Sequence, residues 1–262
     1  MILDDNNILK ESQYPIKMLI KLENASLLTR VVEIISELVT EVKIRIDEKG
    51  MGITAMDPAN VSMVNFRISK NAFSQFESEK EIIGVNLENL KQILRRCSSG
   101  SSLILEKEEN LLKIRIEDKI IRNFTLNMIN VDSEDINFEE KVSNMEFSSS
   151  VEIGSSELIS AIEDCAIMAD ACSFIIQDGK FIVEAKSLNS ARTEFSSEQA
   201  VIKAENCGAK FSLEYLQKFL KGAKLCNKTL LKFAEDHPLR MDFINSEMEL
   251  SFILAPRVEN ED

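Results

Sequence analysis

Asn86-Leu87-Glu88-Asn89-Leu90-Lys91-Gln92-Ile93-Leu94-Arg95 and Ser212-Leu213-Glu214-Tyr215-Leu216-Gln217-Lys218-Phe219-Leu220-Lys221 are one segment written twice, 126 positions apart. Each predicts a short helix. Asn86 or Ser212 can accept a hydrogen bond from the first-turn N–H groups, and Leu87, Leu90, Leu94 or Leu213, Leu216, Leu220 form one apolar stripe. Cations gather at the C-terminal end, where the helix dipole favours them.

A second pair of helices lies upstream of the first. Residues 25–38 carry Leu28, Val31, Ile35 and Leu38 at helical spacing, and residues 155–169 carry Leu158, Ile162, Cys165 and Ala169. Strand patterns follow both. After the first come Val42, Ile44 and Ile46 alternating with charges, a Glu48-Lys49-Gly50 turn, then Met51, Ile53 and Ala55. After the second come Phe174 and Ile176, an Asp178-Gly179 turn suited to a tight hairpin, then Phe181, Val183 and Ala185. Further hairpins are predicted at 103–116, around Glu109-Asn110, and at 230–254. The order helix, strands, helix, strands occurs twice, which predicts an α+β chain of two similar domains, each with two helices packed on antiparallel sheets. Residues 130–144 join them. This stretch is acidic (Asp132, Glu134, Asp135, Glu139, Glu140) and without sustained periodicity, so it predicts a solvated connector touching the body at Ile136 and Phe138.

The 262 residues are 44% hydrophobic and 29% charged, enough for one large or two modest cores. No apolar run has membrane length, and the first residues lack the apolar core of a signal peptide, so an intracellular protein is expected. Five cysteines without a CxxC, and a single histidine, His237, point to buried free thiols rather than disulfides, a zinc site or a catalytic triad. No cofactor is expected. Gly50-Met51-Gly52-Ile53-Thr54-Ala55 fits a dinucleotide-binding pattern, but a strand continues where that chemistry needs a helix N-terminus, and Asp57-Pro58 blocks one. Asp57, Asp118, Asp132 and Asp170 are the carboxylates that a Mg²⁺-dependent nuclease would use, the remote enzymatic alternative. Their spacing suits turns and helix ends instead.

The net charge of −13 argues against tight DNA binding by phosphate neutralisation. The four predicted helices nevertheless sum to zero, at −1, +2, −3 and +2 in chain order, so the rest of the chain carries the whole deficit. Composition alone assigns these cations to helix dipoles and a solvated face.

Met51-Gly52-Ile53-Thr54-Ala55-Met56-Asp57-Pro58-Ala59-Asn60-Val61-Ser62-Met63-Val64 resembles the strand, central loop and strand of sliding clamps of the PCNA type. Gly84-Val85-Asn86-Leu87 resembles the second helix of their first domain, and Leu254-Ala255-Pro256-Arg257-Val258-Glu259 their C-terminal tail. The Asp-Pro-Ala-Asn wording is closer to archaeal members, so the resemblance implies a cytoplasmic protein, or a nuclear one in a eukaryote. It implies a non-enzymatic DNA-clamp fold assembling into a ring around duplex DNA. The divisions it implies are an N-terminal extension 1–15, clamp domains 16–129 and 145–258, the connector 130–144 and an acidic tail 259–262.

The implied DNA-facing residues are Arg30, Lys91, Arg95, Arg96, Lys218, Lys221 and Lys224. The implied pocket for client peptides consists of Met56, Asn60, Ile136, Phe138, Pro238, Ile253, Ala255 and Pro256. The implied subunit-joining strands are residues 120–126, with Ile120, Ile121, Phe124 and Leu126, and 191–196, with Ala191, Thr193 and Phe195. The implied partners are duplex DNA, a clamp loader, and DNA polymerase and other replication or repair enzymes that carry short peptide motifs. Glu163, Ile167 and Glu214 stand where the family often has a cation or histidine. That departure sets a subunit of a hetero-oligomeric clamp, with paralogues supplying charge, beside the homotrimer as the alternative.

Overall fold

The computed structural model describes residues 18–258, so the N-terminal extension and the acidic tail lie outside the described residues. The first half runs β1 (Met18–Leu22), α1 (Ser26–Ile35), β2 (Glu41–Asp47), β3 (Gly50–Met56), β4 (Ser62–Ser69), β5 (Gln75–Ser78), β6 (Glu81–Asn86), α2 (Leu87–Leu94), β7 (Ser102–Glu108), β8 (Leu111–Glu117) and β9 (Ile121–Asn127). A short helix, α3 (Phe138–Ser143), follows. The second half repeats the order as β10 (Ser149–Gly154), α4 (Ser155–Met168), β11 (Ala171–Gln177), β12 (Lys180–Lys186), β13 (Ser190–Phe195), β14 (Ala200–Lys203), β15 (Cys207–Ser212), α5 (Leu213–Ala223), β16 (Lys228–Phe233), β17 (Leu239–Ile244) and β18 (Met248–Leu254).

Hydrophobic alternation decides which strand faces cover the helices. β2 buries Val42, Ile44 and Ile46, and its repeat β11 buries Cys172, Phe174 and Ile176. The hairpin between β11 and β12 turns at Asp178 and Gly179 with φ of 52° and 72°, the left-handed pair that a two-residue turn requires. α1 buries Leu28, Val31, Val32 and Ile35 against this layer, and α4 buries Leu158, Ala161, Ile162 and Cys165. Phe174 meets Phe181, Phe211 and Phe233 at centroid distances of 5.5–6.3 Å, and Phe219 of α5 stacks on Phe252 at 4.3 Å. Gly222 lets α5 press this close, because a Cβ there would stand 2.8 Å from the Phe243 ring.

The strands form three antiparallel sheets. Five are ordered β5-β1-β7-β8-β9 and four β13-β12-β11-β15; nine are ordered β14-β10-β16-β17-β18-β4-β3-β2-β6. The nine-stranded sheet crosses both halves through β4 and β18, paired from Ser62↔Leu254 to Ile68↔Met248. β9 and β13 each end their sheet unpaired on the outer side among the described residues.

Three expectations are corrected. The connector contains α3, which the absence of periodicity did not predict; its N-cap is Asn137, whose side chain accepts from Glu140 N. Asn86 caps α2 by accepting from Asn89 N at 3.1 Å, but Ser212 makes no side-chain cap hydrogen bond. Of the five free cysteines only Cys165 and Cys172 are buried, while Cys97, Cys207 and Cys226 are half-buried beside loops and strand ends.

Candidate nucleic-acid interface and docking pocket

All four long helices lie in one connected layer, with α1 against α2, α4 against α5, and α5 reaching α1 across the two halves. The candidate DNA-facing cations sit on or just beyond these helices, yet most are already paired. Arg95 Nε donates to Glu33 of α1 at 2.7 Å, and Lys221 of α5 bonds Glu37 beyond the end of α1. Lys91 pairs with Glu88 one turn back, and Lys218 with Glu214 at 2.9 Å while also lying over the Tyr215 ring. Among the described residues Arg30, Arg96 and Lys224 form no ion pair, and all three are exposed. The layer therefore offers a few unpaired cations among neutralised pairs, a surface suited to weak contact with a polyanion.

The candidate pocket residues separate into two groups. Phe138 of α3 is buried with Met63 and Ile253, and Met56, Ile136, Val142, Met145 and Phe147 pack around them. Arg240 lies over the Phe138 ring at 5.4 Å and is held there by the buried Asp242, which accepts twice from Arg240 Nε at 2.8 and 2.9 Å. Ala255 and Pro256 instead line a cavity of about 510 Å³ with Val61, Tyr215, Leu254 and Arg257. Asn60 is exposed at the loop tip with φ 58°, and Pro238 joins neither group.

Two anchors were invisible in the sequence. Asp135 receives Lys43 Nζ at 3.1 Å and Arg45 Nη2 at 2.9 Å, so these cations hold its carboxyl below the usual range and pin the connector to β2. Gly84 of β6 leaves room for the chain to cross, and Ile129 N donates to Gly84 O at 3.0 Å as the connector departs.

Asp57, 5% exposed, holds the central loop by accepting from Ala59, Val61 and Ser62 N–H groups at 3.2, 2.9 and 2.6 Å. Tyr215 OH of α5 donates to its Oδ2 at 2.7 Å, a hydrogen bond between the halves. Burial, and then the Asp57 carboxylate, push the Tyr215 phenol up to about 12. The other carboxylates of the nuclease alternative are dispersed. Asp118 is held down to about 2, first by the Arg122 guanidinium, Asp170 pairs with Arg257, and Asp132 is exposed. Among the described residues no three His, Cys, Asp or Glu side chains are grouped to hold a metal, and no helix is long and apolar enough to cross a membrane.

The candidate joining strands lie on opposite halves. On β9, Arg122, Phe124 and Leu126 face inward and half-buried, with Ile121 exposed on the other face and Ile120 exposed in the preceding turn. On β13, Ala191 and Thr193 are half-buried and Phe195 buried.

Comparison with known proteins agrees with this architecture along nearly all of the described chain. Residues 18–136 match the family model for the proliferating cell nuclear antigen N-terminal domain, and residues 141–258 the model for its C-terminal domain. A DNA polymerase sliding clamp of Thermococcus gammatolerans is 32% identical over 232 residues, covering 86% of this chain and 92% of that protein. One from Pyrococcus furiosus is 29% identical over 245 residues, covering 90% and 97%. The crystal structure of proliferating cellular nuclear antigen from Entamoeba histolytica shares the fold with a TM-score of 0.85 at 22% identity, covering 93% of this chain and all of that one. With both domain models matched in order on a twice-written α+β chain, this protein belongs to the proliferating cell nuclear antigen family of DNA sliding clamps, which are processivity factors and not enzymes.

Proposed function

We propose that this chain is one subunit of a three-membered ring that encircles duplex DNA with its helix layer and tethers replication and repair enzymes. A clamp loader would open the ring. The observation that carries this reading is the joint inside the chain. Following the strand registers through the repeat equates β4 with β13 and β18 with β9: Val64 with Ala191, Phe66 with Thr193, Phe252 with Phe124, and Leu250 with Arg122. Within the chain β4 and β18 are paired, so β13 of one copy and β9 of the next can pair in the same way. Two edges otherwise open to aggregation are thereby closed, and a head-to-tail contact repeated by rotation gives a ring.

A ring holds DNA by enclosure, which suits an acidic chain whose helix layer carries Arg30, Arg96 and Lys224 without an ion pair among the described residues. The cluster of Met56, Ile136, Phe138 and Ile253 is the proposed dock for a client peptide, with the connector as one wall. The two sliding-clamp relatives compared above are archaeal, and by the same reading the ring works in the cytoplasm beside the genome.

Light scattering on the pure chain tests the assembly. The expected mass is about three times the 29.6 kDa monomer. A stable monomer that assembles only with paralogues transfers the reading to a hetero-oligomeric clamp.

A further inference from the structure

The connector wall of the dock has little of its own to hold it. Residues 128–137 form no helix or strand, and between the buried Val131 and the buried Phe138 only Ile136 is half-buried, the rest being exposed. Backbone bonds fix where this stretch begins, with Met128 N donating to Asn110 O at 2.8 Å and Ile129 N to Gly84 O at 3.0 Å. Farther along, among the described residues, the hydrogen bonds from the body to residues 132–137 come from two side chains of β2. Lys43 Nζ donates to Ser133 O at 2.6 Å and to Asp135 Oδ1 at 3.1 Å, and Arg45 Nη2 donates to the same Oδ1 at 2.9 Å.

The strand geometry brings these groups together. Val42, Ile44 and Ile46 face the core, so Lys43 and Arg45 leave β2 on its outer side. β2 is bonded on both edges, to β3 and to β6, so the two cations stand on a rigid base. Their side chains are 21% and 31% exposed, whereas that of Asp135 is 65% exposed. The anchor therefore holds the connector without burying it. Ile136, which packs on the Phe138 cluster, follows Asp135 directly. We propose that Lys43, Arg45 and Asp135 are positioning residues of the client dock: their ion pairs hold Ile136 in place as a wall before the client arrives, and so give an apolar dock a dependence on salt.

This inference rests on the reading of the Phe138 cluster as a dock and deepens it. A wall of irregular chain left free would have to be ordered when the client binds, and that loss of entropy lowers affinity. With the ion pairs formed, the ordering has already taken place in the free protein. Salt screens pairs with one well-exposed partner, so it acts on the wall and through the wall on the client.

The test uses the full chain and a fluorescent peptide of zero net charge selected for binding to the parent; its release by Ile253→Asp places it in the dock. At about 50 mM sodium chloride D135N should bind it about threefold to fivefold more weakly, and K43M/R45M should lose a similar factor. K43M/R45M/D135N should lose no more than either, because all three groups make one contact. D135E should keep most of the affinity. At about 1 M salt the parent should fall to the level of D135N, whose own affinity stays flat. Amide exchange over residues 132–137 of the free chain should quicken in D135N while the melting temperature stays unchanged. Parent-like affinity in D135N, or losses that add in the combined variant, would overturn the positioning role and leave the dock standing. Unchanged amide exchange in D135N would do the same. If every selected peptide tolerates Ile253→Asp, the dock reading falls and the positioning role falls with it.

Discussion

The joint between β4 and β18 and the pair of open edges β9 and β13 occupy the same places in the repeat, but they differ in chemistry. Inside the chain, Val64 faces Phe252 and Phe66 faces Leu250, all buried, with Phe219 stacked on Phe252 and Gly222 against Phe243. At the edges the equivalent pairs are Ala191 with Phe124 and Thr193 with Arg122, and Arg122 is already bound to Asp118 at 2.8 Å. One joint is an apolar core continuous with both halves. The other, the one proposed between copies, would be thinner and more polar. An apolar joint forms with folding and stays closed, whereas one with few buried methyl groups and exposed ions closes only at sufficient concentration and can be opened. In the proposed ring the duplication thus provides a permanent joint and a reversible one from the same geometry.

Breaking the permanent joint should have the largest effect. Phe252→Ala should lower the unfolding free energy of the monomer by about 3–5 kcal/mol, measured by denaturant titration, because it removes a fully buried ring from a stacked pair. The equivalent change on the open edge, Phe124→Ala, should cost the monomer less than about 1 kcal/mol while lowering the assembled fraction. Equal losses of monomer stability would erase the distinction.

An intermediate effect is expected at the connector. Phe138→Ala should weaken binding of a client peptide by about tenfold or more in a fluorescence titration, since it removes the side chain that seats the connector on Met63 and Ile253. Unchanged affinity would take the connector out of the dock.

The smallest effect is a titration. The protein has two tyrosines, so in a Tyr14→Phe background the absorbance of Tyr215 can be followed alone. Its folded pKa is raised from 10 to about 12, so the stability it contributes is fully present below about pH 10 and is lost as pH rises through about 12. A midpoint near 10 would mean that the Asp57 hydrogen bond does not hold the two halves in solution.

The repeat, the long helices and the hairpins were legible because each is local. Leu87, Leu90 and Leu94 state a helix within eight residues, and Asp178-Gly179 states its turn within two. α3 was not legible, since Phe138-Glu139-Glu140-Lys141-Val142-Ser143 has only two apolar residues, and what they pack on comes from β4 and β18. Among the site residues, the separation of Ala255 and Pro256 from the Phe138 cluster was equally hidden. Neighbours in sequence, Ile253 and Ala255, end on different faces of the tail.

The sequence by itself therefore determined the two-fold repetition of elements, which residues each element buries and the charge of each helix, because helical and strand periods are properties of neighbouring side chains. Only the tertiary structure decided that β18 returns to β4, that Tyr215 reaches Asp57 and that Lys221 reaches Glu37. These contacts span more than 150 residues. Many strands share the alternation that would allow such pairings, and the packing of the whole core selects among them.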